Sequence, residues 1–240
     1  MDIFLRLVLA HLIGDFPLQT EKIYTLKQKG TRGVVPHVLI VTLCFIVLLW
    51  PYLHLPIIWS FIVFTFIVHL LQDITKLRIA DESKNPMLWY ILDQASHIFA
   101  IMIIFLTQIP DLPLPRESSN FFINLYINNE LIWFLIAWIV TSYNGHWMLT
   151  IIRQSYLNKH GVQTTFEKWY GIIERSMILT CFVPQCNMLM AIPFILIFRL
   201  LIGRYNKNTK LTTQDFGSMT EIILNGALAI LTGIIFYIIL

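Results

Sequence analysis

The chain has 240 residues, 57% hydrophobic and only 13% charged, with a mean hydropathy of +0.69. This is too apolar and too poor in charge for a soluble globule and predicts an integral membrane protein. The net charge of +3 is spread over short segments, and no tract resembles a nucleic-acid-binding patch, so nucleic acid is excluded as a partner.

The first apolar run, 3–18, with a helix predicted over 3–16, carries Arg6, His11 and Asp15 and lacks a small-x-small cleavage site. It therefore reads as a retained helix and not as a signal peptide, with Pro17 ending or kinking it. Segment 21–32 holds Lys22, Lys27, Lys29 and Arg32 against one acid. Under the positive-inside rule it is cytoplasmic, which puts the N-terminus outside. A second helix is predicted over 36–50, followed by an uncharged outer turn flanked by Trp50, Tyr52 and Trp59. A third, over 57–77, descends to the basic link of Lys76, Arg78 and Lys84. A fourth, over 86–109, leads to an acidic, proline-rich outer loop, 110–129.

The fifth helix, 130–150, returns to Arg153, Lys159 and Lys168 on the inside. The short sixth and seventh helices, 170–183 and 187–203, flank Pro184-Gln185-Cys186, and Pro193 is placed to kink the seventh. After Arg199, Arg204, Lys207 and Lys210 the eighth helix, 220–240, ends outside. The expected fold is thus all-α: a polytopic transmembrane bundle of about eight spans, both termini outside. Seven spans is the alternative, with segments six and seven as one re-entrant unit. The chain reads as one integral membrane domain, 1–240, with a four-helix half over 1–109 and a C-terminal half over 130–240. Cys44, Cys181 and Cys186 lack metal-ligand spacing and read as small packing residues.

Ionisable side chains are costly in a bilayer and mark functional sites by default. Helices one and three both read His-x-x-x-Asp, as His11/Asp15 and His69/Asp73, and helix four reads Asp93-x-x-x-His97. Residues four apart share a helix face. At 1.5 Å rise the two members of a pair differ in depth by about 6 Å, and the reversed order on the antiparallel helix puts all three aspartates on the inner level. His37 falls near that level too. Imidazole and carboxylate ligands suit zinc, manganese or iron, and His11, Asp15, His37, His69, Asp73, Asp93 and His97 would suffice for one ion or two. Two other readings stay open: interhelical polar bonds that pin the bundle, and a proton or ion relay.

Lys76, one turn past Asp73, is placed either to bind an anionic phosphate or to snorkel to the interface. Gln19, Gln72 and Gln94 are placed to support the ligands or to lie at the interface. His54 and His160 fall in loops, and His146 is a further, interfacial candidate. In the C-terminal half Glu174, Arg175, Arg199 and Glu221 read as a buried ion-pair network, with Arg175 or Arg199 placed alternatively to bind an anionic headgroup.

His11-Leu-Ile-Gly-Asp15-Phe16 with Leu18-Gln19-Thr20, His37, His69-x-x-x-Asp73-x-x-Lys76 and Asp93-Gln94-x-x-His97 resemble a bacterial membrane family known only as domain-of-unknown-function family 3307. The resemblance extends loosely to Gly171-Ile-Ile-Glu174-Arg175 and to Glu221 with Asn225-Gly226, where Ile222 and Gly226-Ala227 depart from the family's pattern. The His/Asp pattern is also similar to membrane proteins labelled metal-dependent hydrolases. Resemblance implies a metal site more than any particular reaction.

The leading expectation is a membrane-embedded hydrolase with one or two divalent ions, acting on an ester or phosphoester, or an anionic lipid, at the cytoplasmic face. Asp73 or Asp93 is the expected base, and Lys76 and Arg175 the anion-binding residues. The alternatives are a metal-ion or proton transporter and a non-enzymatic anchor or scaffold. The sequence leaves the oligomeric state open.

Overall fold

The computed structural model describes residues 2–79, 85–117, 119–157, 163–184, 186, 188–205, 213 and 215–239. Lys84, Lys159, His160, Gln185, Lys207 and Lys210, used above for orientation or site assignment, lie outside the described residues. Among the described residues every regular element is helical. Contacts divide the chain into two compact units, Met1–Ile136 and Ala137–Leu240.

The first unit holds α1 (Asp2–Asp15), α2 (Glu21–Gln28), α3 (Thr31–Leu48), α4 (Pro56–Ile79), α5 (Pro86–Met102) and α6 (Phe121–Ile127), and α7 (Asn129–Ile139) begins in it. Its apolar core joins Ile3, Leu7 and Ala10 of α1 to Val41 and Phe45 of α3, Ile58, Phe61 and Ile62 of α4, and Ile101 of α5. Arg6, fully buried, fastens α1 to the α6–α7 junction by bonds to Tyr126 O and Asn129 Oδ1, both 2.6 Å.

Polarity on α3 and α4 runs opposite to that of a soluble protein. Leu39, Leu43 and Val47 of α3 and Val63, Ile67 and Leu71 of α4 face outward, while His37, His69 and Asp73 are buried. Such a distribution is unfavourable in water and natural in lipid, where the outside is apolar and ionisable groups turn inward.

Among the described residues four helices are long and apolar enough to cross a membrane: Thr31–Leu48, Pro56–Arg78, Pro86–Leu106 and Met219–Ile239. The bent pair Phe121–Ile127 and Asn129–Tyr156 adds a fifth if counted as one span. The expected first, sixth and seventh spans correspond to helices of 14, 16 and 14 residues, shorter than the roughly 20 residues that match a bilayer core.

The expected basic loop, 21–32, is instead largely helical. Thr20 caps α2 by accepting from Ile23 N, with Glu21 in its first turn and Lys27 in its last, each suited to the helix dipole. Gly30 then takes a φ of 108°, left-handed space that glycine enters without strain. The reversal there lets α3 start at Thr31, so Pro36 lies inside the helix and not at its head. At Gly33 a Cβ would stand 1.7 Å from Leu26 O, so only glycine lets α2 fold this closely against α3.

The second unit holds α8 (Gly145–Tyr156), α9 (Thr165–Thr180), α10 (Ile192–Tyr205) and α11 (Met219–Ile239). A π-helical turn, Val140–Asn144, joins α7 to α8 within what composition predicts as one helix, 130–150. Pro193 is the second residue of α10, where its missing N–H costs nothing, so it starts the helix and does not kink it.

Candidate metal centre

The i, i+4 pairs and His37 meet inside the first unit, brought there by α1, α3, α4 and α5. Asp15 lies at the centre of one side. Its Oδ1 is 3.1 Å from His37 Nε2 and 3.5 Å from His69 Nε2, and its Oδ2 is 3.8 Å from His11 Nε2. Asp73 turns Oδ2 toward His37 and His69, both at 3.6 Å, and Oδ1 toward His97 at 3.8 Å. Asp93 Oδ1 lies 3.5 Å from His97 Nε2. The imidazoles crowd one another, with His69 and His97 stacked at 4.2 Å between ring centroids.

Of these contacts only His37 with Asp15 has hydrogen-bond geometry in which the ring nitrogen's role depends on its tautomer. Both nitrogens of His11 and of His97, Nε2 of His69 and both oxygens of Asp73 are buried without a hydrogen-bond partner. Unsatisfied buried polar atoms are expensive and need an explanation. The spacing offers one. Ligands about 2.1 Å from a tetrahedral ion lie about 3.4 Å from each other, in the middle of the observed 3.1–3.8 Å range. Among the described residues three groups have ligand atoms close enough to share an ion: His11, Asp15 and His69; His37, His69 and Asp73; and Asp73, Asp93 and His97. The donor set and its unpartnered atoms therefore fit a divalent cation.

Two lysines complete the cluster. Lys76 Nζ lies 2.5 Å from Asp93 Oδ2, which also accepts from Gln94 Nε2 at 3.2 Å. Lys76 is thus held at a carboxylate, though its side chain keeps one third of its exposure. Lys27 was not among the residues that sequence reasoning singled out. It is buried and its Nζ stands 2.7 Å from Asp73 Oδ1, off the direction of a hydrogen bond. Counting charges in segment 21–32 suggested only an inner loop. The available signal was the cap and turn, Thr20 with Glu21 ahead and Gly30 behind, which predicts a short helix able to turn one lysine inward.

The C-terminal candidates all belong to the second unit. Arg199 pairs with Glu174, Nη2 to Oε2 at 2.6 Å, and its guanidinium lies 5.2 Å and 4.9 Å from the ring centres of Tyr170 and Phe216. Glu221 lies 3.8 Å from Arg199 Nη1 and receives a bidentate pair from Arg153, at 2.7 and 2.6 Å, a residue that the sequence presents only as a loop charge. Among the described residues Arg175 forms no carboxylate pair. Its three guanidinium nitrogens donate to Thr141 O, Ser142 O and Asn225 Oδ1. The two carbonyls lie in the π-helical turn, where the ladder is re-spaced and oxygens come free for such bonds. His146 lies in α8 of the second unit, and His54 in the first unit belongs to none of the three ligand groups.

These features define a class: an all-helical protein with several apolar helices of membrane-spanning length and a buried histidine, aspartate and lysine cluster. Residues 3–124, just over half of the chain, match the family described as protein of unknown function (DUF3307), and the chain belongs to that family. The match contains every residue of the cluster and stops short of the loosely resembling segments at Glu174 and Glu221. No curated protein and no solved structure matches the chain.

Proposed function

We propose that the chain is a metal-dependent hydrolase embedded in a bacterial inner membrane, acting on an ester or phosphoester presented at the cytoplasmic face. The observation that carries the reading is the convergence of four imidazoles and three carboxylates at 3.1–3.8 Å, with buried ring nitrogens on His11, His69 and His97 that have no hydrogen-bond partner. A structural cluster of polar bonds would satisfy those atoms among themselves.

His11, His37, His69, Asp15 and Asp73 would hold a zinc, manganese or iron ion, with His97 and Asp93 beside them. Such an ion supplies Lewis acidity at a buried, low-dielectric point. Asp93 is the proposed proton acceptor, since Oδ1 faces His97 while Lys76 holds Oδ2 and fixes the carboxylate plane. Asp73, with an oxygen toward each side of the cluster, serves as ligand and positions His69. The basic residues Lys22, Lys29, Arg32 and Arg78 support an orientation with this end of the bundle in the cytoplasm.

The test is metal content by elemental mass spectrometry on detergent-purified protein, wild type beside His69→Ala and Asp73→Ala, with folding checked by size-exclusion chromatography. Near-stoichiometric zinc, manganese or iron, lost in folded variants, is the expected result and opens a screen of phosphoester substrates. A wild-type protein that neither retains nor takes up any of these ions refutes the reading.

A further inference from the structure

The cluster is asymmetric in charge. On one side His11, His37 and His69 meet Asp15 and the Oδ2 oxygen of Asp73, and none of the described lysines or arginines forms an ion pair with Asp15. On the other side Asp73 Oδ1, Asp93 and His97 meet Lys27 and Lys76, whose ammonium groups stand 2.7 and 2.5 Å from the two carboxylates. A second divalent ion placed among Asp73 Oδ1, Asp93 and His97 would lie beside two fixed positive charges, in surroundings that screen little. The lysines already do, as tethered cations, what a second metal would do.

Counting charge sharpens the point. With the imidazoles neutral, as ligation requires, three carboxylates and two ammonium groups leave one net negative charge. One divalent ion converts this to one net positive charge, and two would leave three. Buried charge is tolerated when it is compensated. A single divalent ion and a single monoanion bring the described cluster to neutrality. A phosphodiester carries one negative charge, and Lys76, whose side chain keeps one third of its exposure, is the cation of the cluster within reach of a ligand from outside.

From this juxtaposition we infer that the site holds one divalent ion on its lysine-free side and binds a phosphodiester monoanion between Lys27 and Lys76 on the other. The inference rests on the metal site proposed above and narrows its substrate to a phosphodiester, from a lipid headgroup or a free molecule.

The test uses the full chain in detergent, loaded with Mn²⁺ and desalted. Manganese per chain is measured by elemental analysis, and phosphorus-31 relaxation enhancement is followed on titrating dimethyl phosphate or, separately, dihexanoyl phosphatidylglycerol. One Mn²⁺ per chain is expected in the wild type, Lys27→Gln and Lys76→Gln, with the half-saturating phosphodiester concentration raised about tenfold or more in both variants, the size of one charge-assisted bond. Lys27→Arg should restore binding and serves as the folding control. Lys76→Gln, at a partly exposed position, stands in if Lys27→Gln does not fold. Enhancement with either probe supports the inference, the lipid alone naming a headgroup and dimethyl phosphate alone a free molecule as the source; no enhancement with either overturns it. Two Mn²⁺ per chain, or half-saturation unchanged in Lys76→Gln, overturns it while leaving the metal site standing; no Mn²⁺ at all overturns both.

Discussion

Lys27 Nζ stands 2.7 Å from Asp73 Oδ1, with both side chains buried, although the two residues lie on different helices and far apart in sequence. Removing one member of such a pair leaves a buried charge uncompensated, at a cost of about 3–5 kcal/mol. Lys27→Ala is therefore expected to lower the thermal midpoint of the metal-free protein in detergent, and a bound divalent ion, by neutralising Asp73, should return part of that loss. An unchanged midpoint in the metal-free variant would show the pair to be energetically idle.

The position of Lys27 depends on the α2–α3 turn. A Cβ at residue 33 would fall 1.7 Å from Leu26 O, so in Gly33→Ala the backbone of α2 has to move away from α3. Amide hydrogen exchange over residues 21–28 should accelerate in this variant while exchange in α4 changes little. Equal protection of α2 in variant and wild type would contradict the packing described.

Metal binding should register as stability. A ligand that binds only the folded state contributes about 2.7 kcal/mol at a hundredfold excess over its dissociation constant. Treatment with a chelator is expected to lower the thermal midpoint of the wild type, and added zinc or manganese to restore it. In His37→Ala, which removes a ligand meeting both Asp15 and Asp73, the response to metal should shrink or vanish. A full response in that variant would remove His37 from the ligand set.

In the second unit the bidentate pair of Arg153 with Glu221 gives a separate check on buried electrostatics. Glu221→Leu alone should destabilise the protein by about 3–5 kcal/mol by leaving Arg153 unpaired, and the double variant Arg153→Met/Glu221→Leu should recover most of it. Additive losses in the thermal midpoints would argue that the two side chains act independently. Arg199 Nη1, 3.8 Å from Glu221 Oε2, also loses a counter-charge in Glu221→Leu and adds to the first effect.

Composition and helical periodicity were sufficient to predict a membrane protein built of helices and to pick His11, Asp15, His37, His69, Asp73, Asp93 and His97. Those properties are local: four-residue spacing puts each pair on one face whatever the rest of the chain does, and an ionisable group in an apolar run stands out against its neighbours. Helix ends were less legible. Gly30 moved the start of α3 ahead of Pro36, and the π-helical turn at 140–144 divided one predicted helix into two. Lys27 and Arg153 show what tertiary structure alone decided. In sequence each is one basic residue in a stretch of ordinary loop-like charge. Each became buried because the fold turned it toward a carboxylate distant in the chain, Asp73 for one and Glu221 for the other, and only the packing of helices sets that choice of partner.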